Sequence, residues 1–362
     1  MKANFIIVVS EWGFYYQLIE LAQLLKVSNV NVLILSYNLT ESQFSSLKTL
    51  ESENFRLCNI NQSKALECLS FYRNYIIHKF LRKNIIRRHK SVVVFFEKPS
   101  LLFFNAFYRL SNIKIVYWSL ELYLNPNDDV FRHIPRLKKL RKLEERNCSN
   151  FDLLIIQDRF RAAEFLGKAN VKIERFYWPV TALRNRINNQ TINFNTTLIY
   201  IGAIRAERSL DSLFELTNQN QIGLVLNGVV TESYKAKILS KFENIKFSFS
   251  ESIENIEIQG EIGVVWYDER DTNDSLTGYS SEKIAIYLYH GIPFITNIKN
   301  DSFRHLFLSK SAFFVDAYNF DIVIQKIKKN YKIYSDCAKL EFNRTYDSEI
   351  YFQRLINHLA LL

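Results

Sequence analysis

Two doubly wound α/β domains facing a central cleft are what this 362-residue sequence predicts, on three observations. Short β-branched or aromatic runs alternate with longer helical patterns from end to end, the signature of parallel sheets with helices on both faces. The chain is too long for one ordinary core. A polar, Asn-rich stretch (TALRNRINNQTINFN, residues 181–195) divides the alternation into two series.

In the first series, Phe5–Val9, Val30–Leu35, Val92–Phe96, Ile113–Trp118 and Leu153–Ile156 read as buried strands. Tyr15–Lys26, Ser63–Arg88, Ser100–Leu110 and Arg132–Cys148 read as the helices between them. The second series gives strands at Leu198–Ile201, Ile222–Leu226, Ile245–Phe249, Ile262–Trp266, Phe294–Thr296 and Ala312–Val315. Its helices fall at Leu210–Thr217, Glu232–Phe242, Ser281–Tyr289 and Phe320–Tyr334. The expected division is a domain over residues 1–180, a linker over 181–196 and a second domain over 197–344. A helix in 345–362 closes the chain and can cross back to the first domain. Ligands of such sheets lie outside the carboxyl ends of the strands.

Composition excludes several classes. The four cysteines show no C-x-x-C spacing and the six histidines no H-x-x-x-H, so neither a zinc site nor a disulfide framework is expected. No Walker pattern and no G-x-S-x-G elbow occurs. No run of eighteen apolar residues predicts a membrane span, and the opening run Phe5–Val9 is too short for a signal segment, so the expected location is cytoplasmic. The net charge of +10 lies in the first half: residues 1–180 carry 27 Lys and Arg against 16 Asp and Glu, the remainder 20 against 21. Residues 73–90 and 132–146 concentrate it. In the second of these, Ile134, Leu137, Leu140 and Leu143 form an apolar seam between basic residues. Such a helix either lies on anionic lipid or packs its seam on its own sheet. No nucleic-acid-binding signature accompanies the charge, and no nucleic-acid partner is expected.

Three stretches carry candidate chemistry. In LIYIGAIRAERSL (residues 198–210), Gly202 ends a strand, where the backbone can approach a ligand, and Arg205 and Arg208 follow near a helix start. Two guanidinium forks there suit a diphosphate. In GYSSEKIAIYLYHGIPFI (residues 278–295), a polar turn opens a helix that Gly291 and Pro293 end, and an apolar strand follows. Ser280 and Ser281 can cap that helix, with Glu282 and Lys283 in its first turn, where backbone N–H groups favour an anion. In the first half, Glu11 and Gly13 follow the first strand, and Glu97 and Glu121 stand at the ends of two others.

These stretches, in this order, resemble the retaining glycosyltransferases of the GT-B fold, the group 1 or family 4-like enzymes of bacterial surface polysaccharide synthesis. The strand ending in Gly202 with a basic residue six positions later, the strand ending at Asn227 and Gly228, the strand running to Tyr267, and Lys283 before the Gly-x-Pro step all fall at similar spacing. The likeness covers most of residues 197–316 and, more loosely, the two-domain plan. It implies two Rossmann-like domains and transfer of a hexosyl or related sugar from a nucleoside diphosphate donor to a glycan or lipid-linked acceptor. It further implies no cofactor and no metal, and a place at the inner face of the cell membrane through the basic first half. Gly202, Arg205, Arg208, Asn227, Gly228, Tyr267, Tyr279, Ser280, Ser281, Glu282 and Lys283 would hold the donor. Arg208, Lys283 and Glu121 would be catalytic, and Glu11, Gly13, Glu97 and Glu121 would face the acceptor. One departure stands out: the glutamate pair of many members, eight residues apart, falls at Gly278 and Ile286. A Leu, at 120, likewise replaces the His of the relatives' His-Glu-Leu-Tyr. A sugar-nucleotide epimerase of the same architecture and a non-catalytic nucleotide-sugar-binding protein remain as alternatives.

Overall fold

Apolar runs become strands wherever both faces of a sheet are covered. A computed structural model describes residues 4–10, 16–28, 30–37, 39–60, 91–108, 113–122, 135–169, 172–181, 197–205, 210–248, 261–267 and 272–361. The expected helix over Ser63–Arg88 and nearly all of the expected linker lie outside them.

The described chain forms two units, one of residues 1–178 with Ser348–Leu362 and one of Pro179–Asp347. In the first, seven strands make one parallel sheet: β1 (Asn4–Ser10), β2 (Asn31–Tyr37), β3 (Phe55–Ile60), β4 (Ser91–Phe96), β5 (Ile113–Trp118), β6 (Leu153–Ile156) and β7 (Glu174–Tyr177). Their order is β3-β2-β1-β4-β5-β6-β7, so the winding reverses between β1 and β4. The helices of this unit are α1 (Tyr16–Val27), α2 (Glu41–Lys48), α3 (Pro135–Asn147) and α4 (Arg159–Ala169). The expected helix over Ser100–Leu110 is instead a 3-10 segment, Lys98–Phe103, and one α-turn, Phe104–Phe107. Pro99 starts it, and Phe104 and Phe107 pack on the Phe95 ring at 5.6 and 5.5 Å; this burial of bulky rings replaces a regular helical face. In α3, which packs on residues 98–103, Leu140 is buried while Lys138, Lys139, Lys142 and Arg146 are exposed.

The second unit holds a six-stranded parallel sheet: β8 (Thr197–Ile201), β9 (Gly223–Asn227), β10 (Ile245–Ser248), β11 (Ile262–Val265), β12 (Phe294–Thr296) and β13 (Ala312–Phe314). Its order is β10-β9-β8-β11-β12-β13, with the reversal between β8 and β11. Its helices are α5 (Asp211–Gln219), α6 (Glu232–Leu239), α7 (Glu282–His290), α8 (Arg304–Leu308), α9 (Phe320–Lys329) and α10 (Tyr331–Glu341). The single helix expected over Phe320–Tyr334 is therefore two, because Asn330 (φ −120°, ψ 27°) leaves helical geometry. The last helix, α11 (Ser348–Leu361), belongs to the first unit, where Tyr351 stacks on Trp178.

One side chain joins the two strands at the second reversal. The Tyr287 hydroxyl of α7 is fully buried, donates to the Ile199 carbonyl (2.8 Å) and accepts from the Ile201 N–H (3.1 Å), with the Val264 carbonyl of β11 at 3.3 Å. The ring needs the space that Gly263 leaves, since a Cβ there would stand 2.6 Å from it. Tyr287→Phe removes these bonds to buried strand backbone. It lowers stability by about 1–3 kcal/mol, read as a drop in urea midpoint at unchanged slope.

Acid acts on the same helix. Burial, then the Lys339 ammonium, holds the His290 imidazole down at about 4, against 6.5 for an ordinary histidine. Below pH 6.5 the unfolded chain therefore binds the extra proton, so stability is full above 6.5 and falls as pH drops toward 4. The loss attributable to this residue is about 2–3 kcal/mol. Urea titrations of wild type and His290→Gln across that window measure it, and their difference shrinks on acidification.

Candidate functional site

The carboxyl ends of β8, β9 and β11 meet where the second sheet reverses. Gly202 follows β8 with φ +133°, a conformation that side chains rarely adopt. Its N–H donates to the Asn227 carbonyl at 3.0 Å, and the Ile204 N–H to Val229 at 3.0 Å, so the loops after β8 and β9 run together. They are too close for a side chain: a Cβ on Gly228 would lie 1.8 Å from the Gly202 carbonyl oxygen.

Lys283 reaches into this junction from the first turn of α7. Its Cε and Nζ lie 3.5 Å from where a Gly202 Cβ would stand. The ammonium sits 4.0 Å above the Tyr200 ring and 4.8 Å above the Tyr267 ring, each contributing about 0.5–2 kcal/mol of attraction. Tyr200 was not among the residues singled out from the sequence. It stands two positions before Gly202, but nothing in a strand pattern tells that a distant lysine lies on its ring. Tyr267 is fixed in turn, since Asn297 bonds both its N–H (3.1 Å) and its carbonyl (2.8 Å), and its hydroxyl meets the Ser281 hydroxyl at 2.8 Å. Ser281 thus does not cap α7 with its side chain, contrary to expectation. Ser280 bonds back to the Leu276 carbonyl, also away from the helix start.

Of the expected donor-binding residues, the structure gathers Gly202, Asn227, Gly228, Tyr267, Ser281 and Lys283. Glu282 is half-buried in the first turn of α7, and Arg205 is exposed in the loop after β8. Arg208, Glu11 and Gly13 lie outside the described residues. Tyr279 packs elsewhere, with its ring stacked on His305 at 3.9 Å and 12°. The Tyr346 hydroxyl meets His305 Nε2 (3.1 Å) and donates to the Gly278 carbonyl, which ties the turn before α7 to the helices behind it. Burial, then Arg344, lowers the His305 imidazole to about 3.

The missing glutamate pair has a steric counterpart. A Cβ on Gly278 would stand 2.0 Å from the Ser302 carbonyl oxygen, so no larger residue fits that backbone path. Ile286 is 7% exposed and packs with Ile199, Val265 and Ile284.

Of the expected acceptor-side residues, Glu97 and Glu121 belong to a separate, largely buried ionic cluster in the first unit. Glu97, at φ 63°, accepts from the Leu120 N–H and from the Glu121 N–H at 2.9 Å. The Lys98 ammonium donates to the Glu121 carbonyl and lies 3.6 Å from Glu97 and 3.4 Å from Glu144. Tyr117 donates to Glu144, while Gln157 (3.0 Å) and Arg161 (2.7 Å) both donate to the Leu120 carbonyl. Glu97 therefore holds the loop that presents Glu121, which is half-buried. Burial raises the Glu144 carboxyl, with Lys98 and Tyr117 pulling it back. For Lys98 burial acts downward, but Glu144, Glu97 and Glu121 outweigh it and the ammonium is raised.

Among the described residues, no group of three or more His, Cys, Asp or Glu is arranged to hold a metal ion, and no helix is long and apolar enough to cross a membrane. No family model and no curated protein matches the sequence. Solved structures do match in shape. Alr3699/HepE of Anabaena, crystallised with UDP, superposes at a TM-score of 0.66 with 11% identity over 100% of both chains. Sucrose-phosphate synthase from Thermosynechococcus elongatus gives 0.65 at 11%, over 100% of this chain and 99% of that one. A UDP-N-acetylglucosamine 2-epimerase from Listeria monocytogenes, so described from its sequence, gives 0.63 at 10%, over 99% and 96%. At such identities the likeness speaks for the fold: two doubly wound Rossmann-like units of the GT-B type.

Proposed function

We propose that the chain is a glycosyltransferase that moves a hexosyl or related sugar from a nucleoside diphosphate donor to a glycan or lipid-linked acceptor, in surface polysaccharide synthesis. The observation that carries this reading is the Lys283 ammonium held by two tyrosine rings beside the side-chain-free junction of Gly202 and Gly228. A diphosphate needs backbone it can approach and fixed positive charge, and this junction supplies both. Structural neighbours crystallised with UDP or UDP-glucose support a nucleotide-sugar donor.

In the proposed reaction an acceptor hydroxyl oxygen bonds to the anomeric carbon as that carbon's bond to the diphosphate oxygen breaks. The hydroxyl proton ends on the departing diphosphate or in solvent, and negative charge grows on the leaving group. Lys283, Arg205, Arg208 and the start of α7 meet that charge without requiring a metal. Tyr200 and Tyr267 position the lysine, so little reorganisation accompanies bond cleavage. Glu282 accepts from ribose hydroxyls. Glu121, held by Glu97 and Lys98, serves the acceptor side. The exposed lysines of α3 face anionic lipid at the inner membrane surface, while its buried Leu140 packs inward.

The packing at Gly278 and Ile286 favours one further reading, a protein that binds a nucleotide sugar without transferring it. Tight nucleotide binding with no transfer to any acceptor would establish it. Release of an epimerised sugar from a nucleotide sugar incubated alone would instead mark the shared-fold epimerase activity.

Calorimetric titration with UDP, ADP and GDP is expected to show binding of at least one, and failure of all three refutes the assignment. Lys283→Ala weakens that binding about 10- to 100-fold, as for loss of a charged hydrogen-bond partner. Tyr200→Phe keeps the affinity and Tyr200→Leu weakens it, at a thermal midpoint that shows both variants folded. In turnover, Arg208→Ala costs about 2–4 kcal/mol of transition-state stabilisation, seen as a fall in kcat larger than any change in KM.

A further inference from the structure

At the outer edge of the second sheet, β13 pairs only with β12 among the described strands. A groove of about 570 Å³ lies there, lined by Phe307, Phe313, Phe314, Lys299, Lys310 and Lys326 together with Ala312 and Tyr334. The Lys299 ammonium stands 5.3 Å above the Phe314 ring and that of Lys326 5.7 Å above Phe313. All three lysines are exposed, so their stems cover aromatic surface while their heads reach water. Among the described residues, no carboxylate lines the groove.

Exposed apolar residues are concentrated in the helices that contribute to it. Of the ten large hydrophobic residues exposed among the described residues, five belong to the stretch from α8 to α10: Leu308 (73%), Tyr318 (94%), Ile322, Ile333 and Leu340. Leu308 follows Phe307 directly, and Ile322 stands one turn before Lys326 on the same face of α9. Lysines flanking an edge strand can guard it against pairing. That guard does not account for bare Leu308, next to Phe307, or bare Ile322, one turn from Lys326.

We propose that this edge of the second unit docks on the anionic phospholipid surface of a membrane, independently of α3. Cations that meet phosphate, next to apolar side chains that enter the headgroup boundary, are what such a surface takes. A peptide seated in the groove would leave Leu308 and Ile322 in water, because neither lines it. A headgroup layer meets both sets at once.

Flotation of the full chain with phosphatidylcholine vesicles, with and without phosphatidylglycerol, tests this. Wild type floats with the anionic vesicles only. Lys299→Gln/Lys310→Gln/Lys326→Gln lowers partitioning about a hundredfold, about fivefold for each lysine. Leu308→Ser/Ile322→Ser lowers it on the same vesicles without any change of charge. Both variants keep the nucleoside diphosphate affinity and thermal midpoint of wild type, so the outcome is separate from that of the nucleotide assignment. Lys138→Gln/Lys139→Gln/Lys142→Gln in α3 leaves part of the binding in place. Wild type that ignores anionic vesicles, equal partitioning of the groove variants and wild type, binding abolished by the α3 variant alone, or capture of a Glu-rich peptide with no vesicle binding would each overturn it.

Discussion

The backbones at Gly202 and Gly228 lie so close that a Cβ on Gly228 would strike the Gly202 carbonyl, while Gly202 itself holds a φ of +133° that side chains rarely adopt. The mouth of the second unit is built on that approach. The loops after β8 and β9 become one surface, and Lys283 extends over it from α7. Two tyrosine rings lie against the lysine ammonium there. Behind them, the Tyr287 hydroxyl fastens β8 to β11 where the winding reverses. A lysine on a four-carbon stem loses much rotamer freedom when it binds an anion. Here part of that ordering has already taken place in the folded chain.

How much of this the sequence discloses depends on burial. All six strands of the second sheet are legible: the four interior ones are continuous apolar runs covered on both faces, and the edge strands β10 (IKFS) and β13 (AFF) still carry β-branched or aromatic residues. In the first sheet, β3 and β7 escape the same rule. They are the edge strands, and β7 (ERFY) is exposed at three of its four residues. Gly202, Lys283 and Gly291 can be placed from spacing, since turns and helix ends have local signatures. The ring beneath the lysine cannot, because Tyr200 and Lys283 lie eighty-three positions apart and only the crossover topology joins them. Glu97 shows the reverse error. A carboxylate at a strand end reads as ligand-facing, but its oxygens accept from the backbone of the neighbouring strand's loop.

The absence of the glutamate pair is a packing result as much as a compositional one. Where the first glutamate would stand, the Gly278 turn touches the Ser302 carbonyl, and Tyr346 holds that turn from the other side. Where the second would stand, Ile286 completes the apolar face that α7 presents to β8 and β11. An acid could not be restored at either position by substitution alone. The first would clash, and the second would bury an unpaired charge, at a cost of several kcal/mol. In the proposed reading, hydrogen bonding to ribose hydroxyls therefore falls to Glu282 in the first turn of α7.

The two units use charge in opposite ways. In the first, Glu97, Lys98 and Glu144 are buried almost completely, and such a cluster adds little net stability because desolvation offsets attraction. What it secures is geometry: four side chains direct hydrogen bonds at the peptide groups of residues 120 and 121, so the Glu121 carboxylate starts from a fixed backbone. In the second unit the Lys283 ammonium stays half-exposed and lies against two aromatic faces. The difference follows from what each group must do. A loop anchor works best when its charges are neutralised within the protein. In the proposed reading Lys283 meets a diphosphate, and tyrosine rings can hold an ammonium without neutralising its charge.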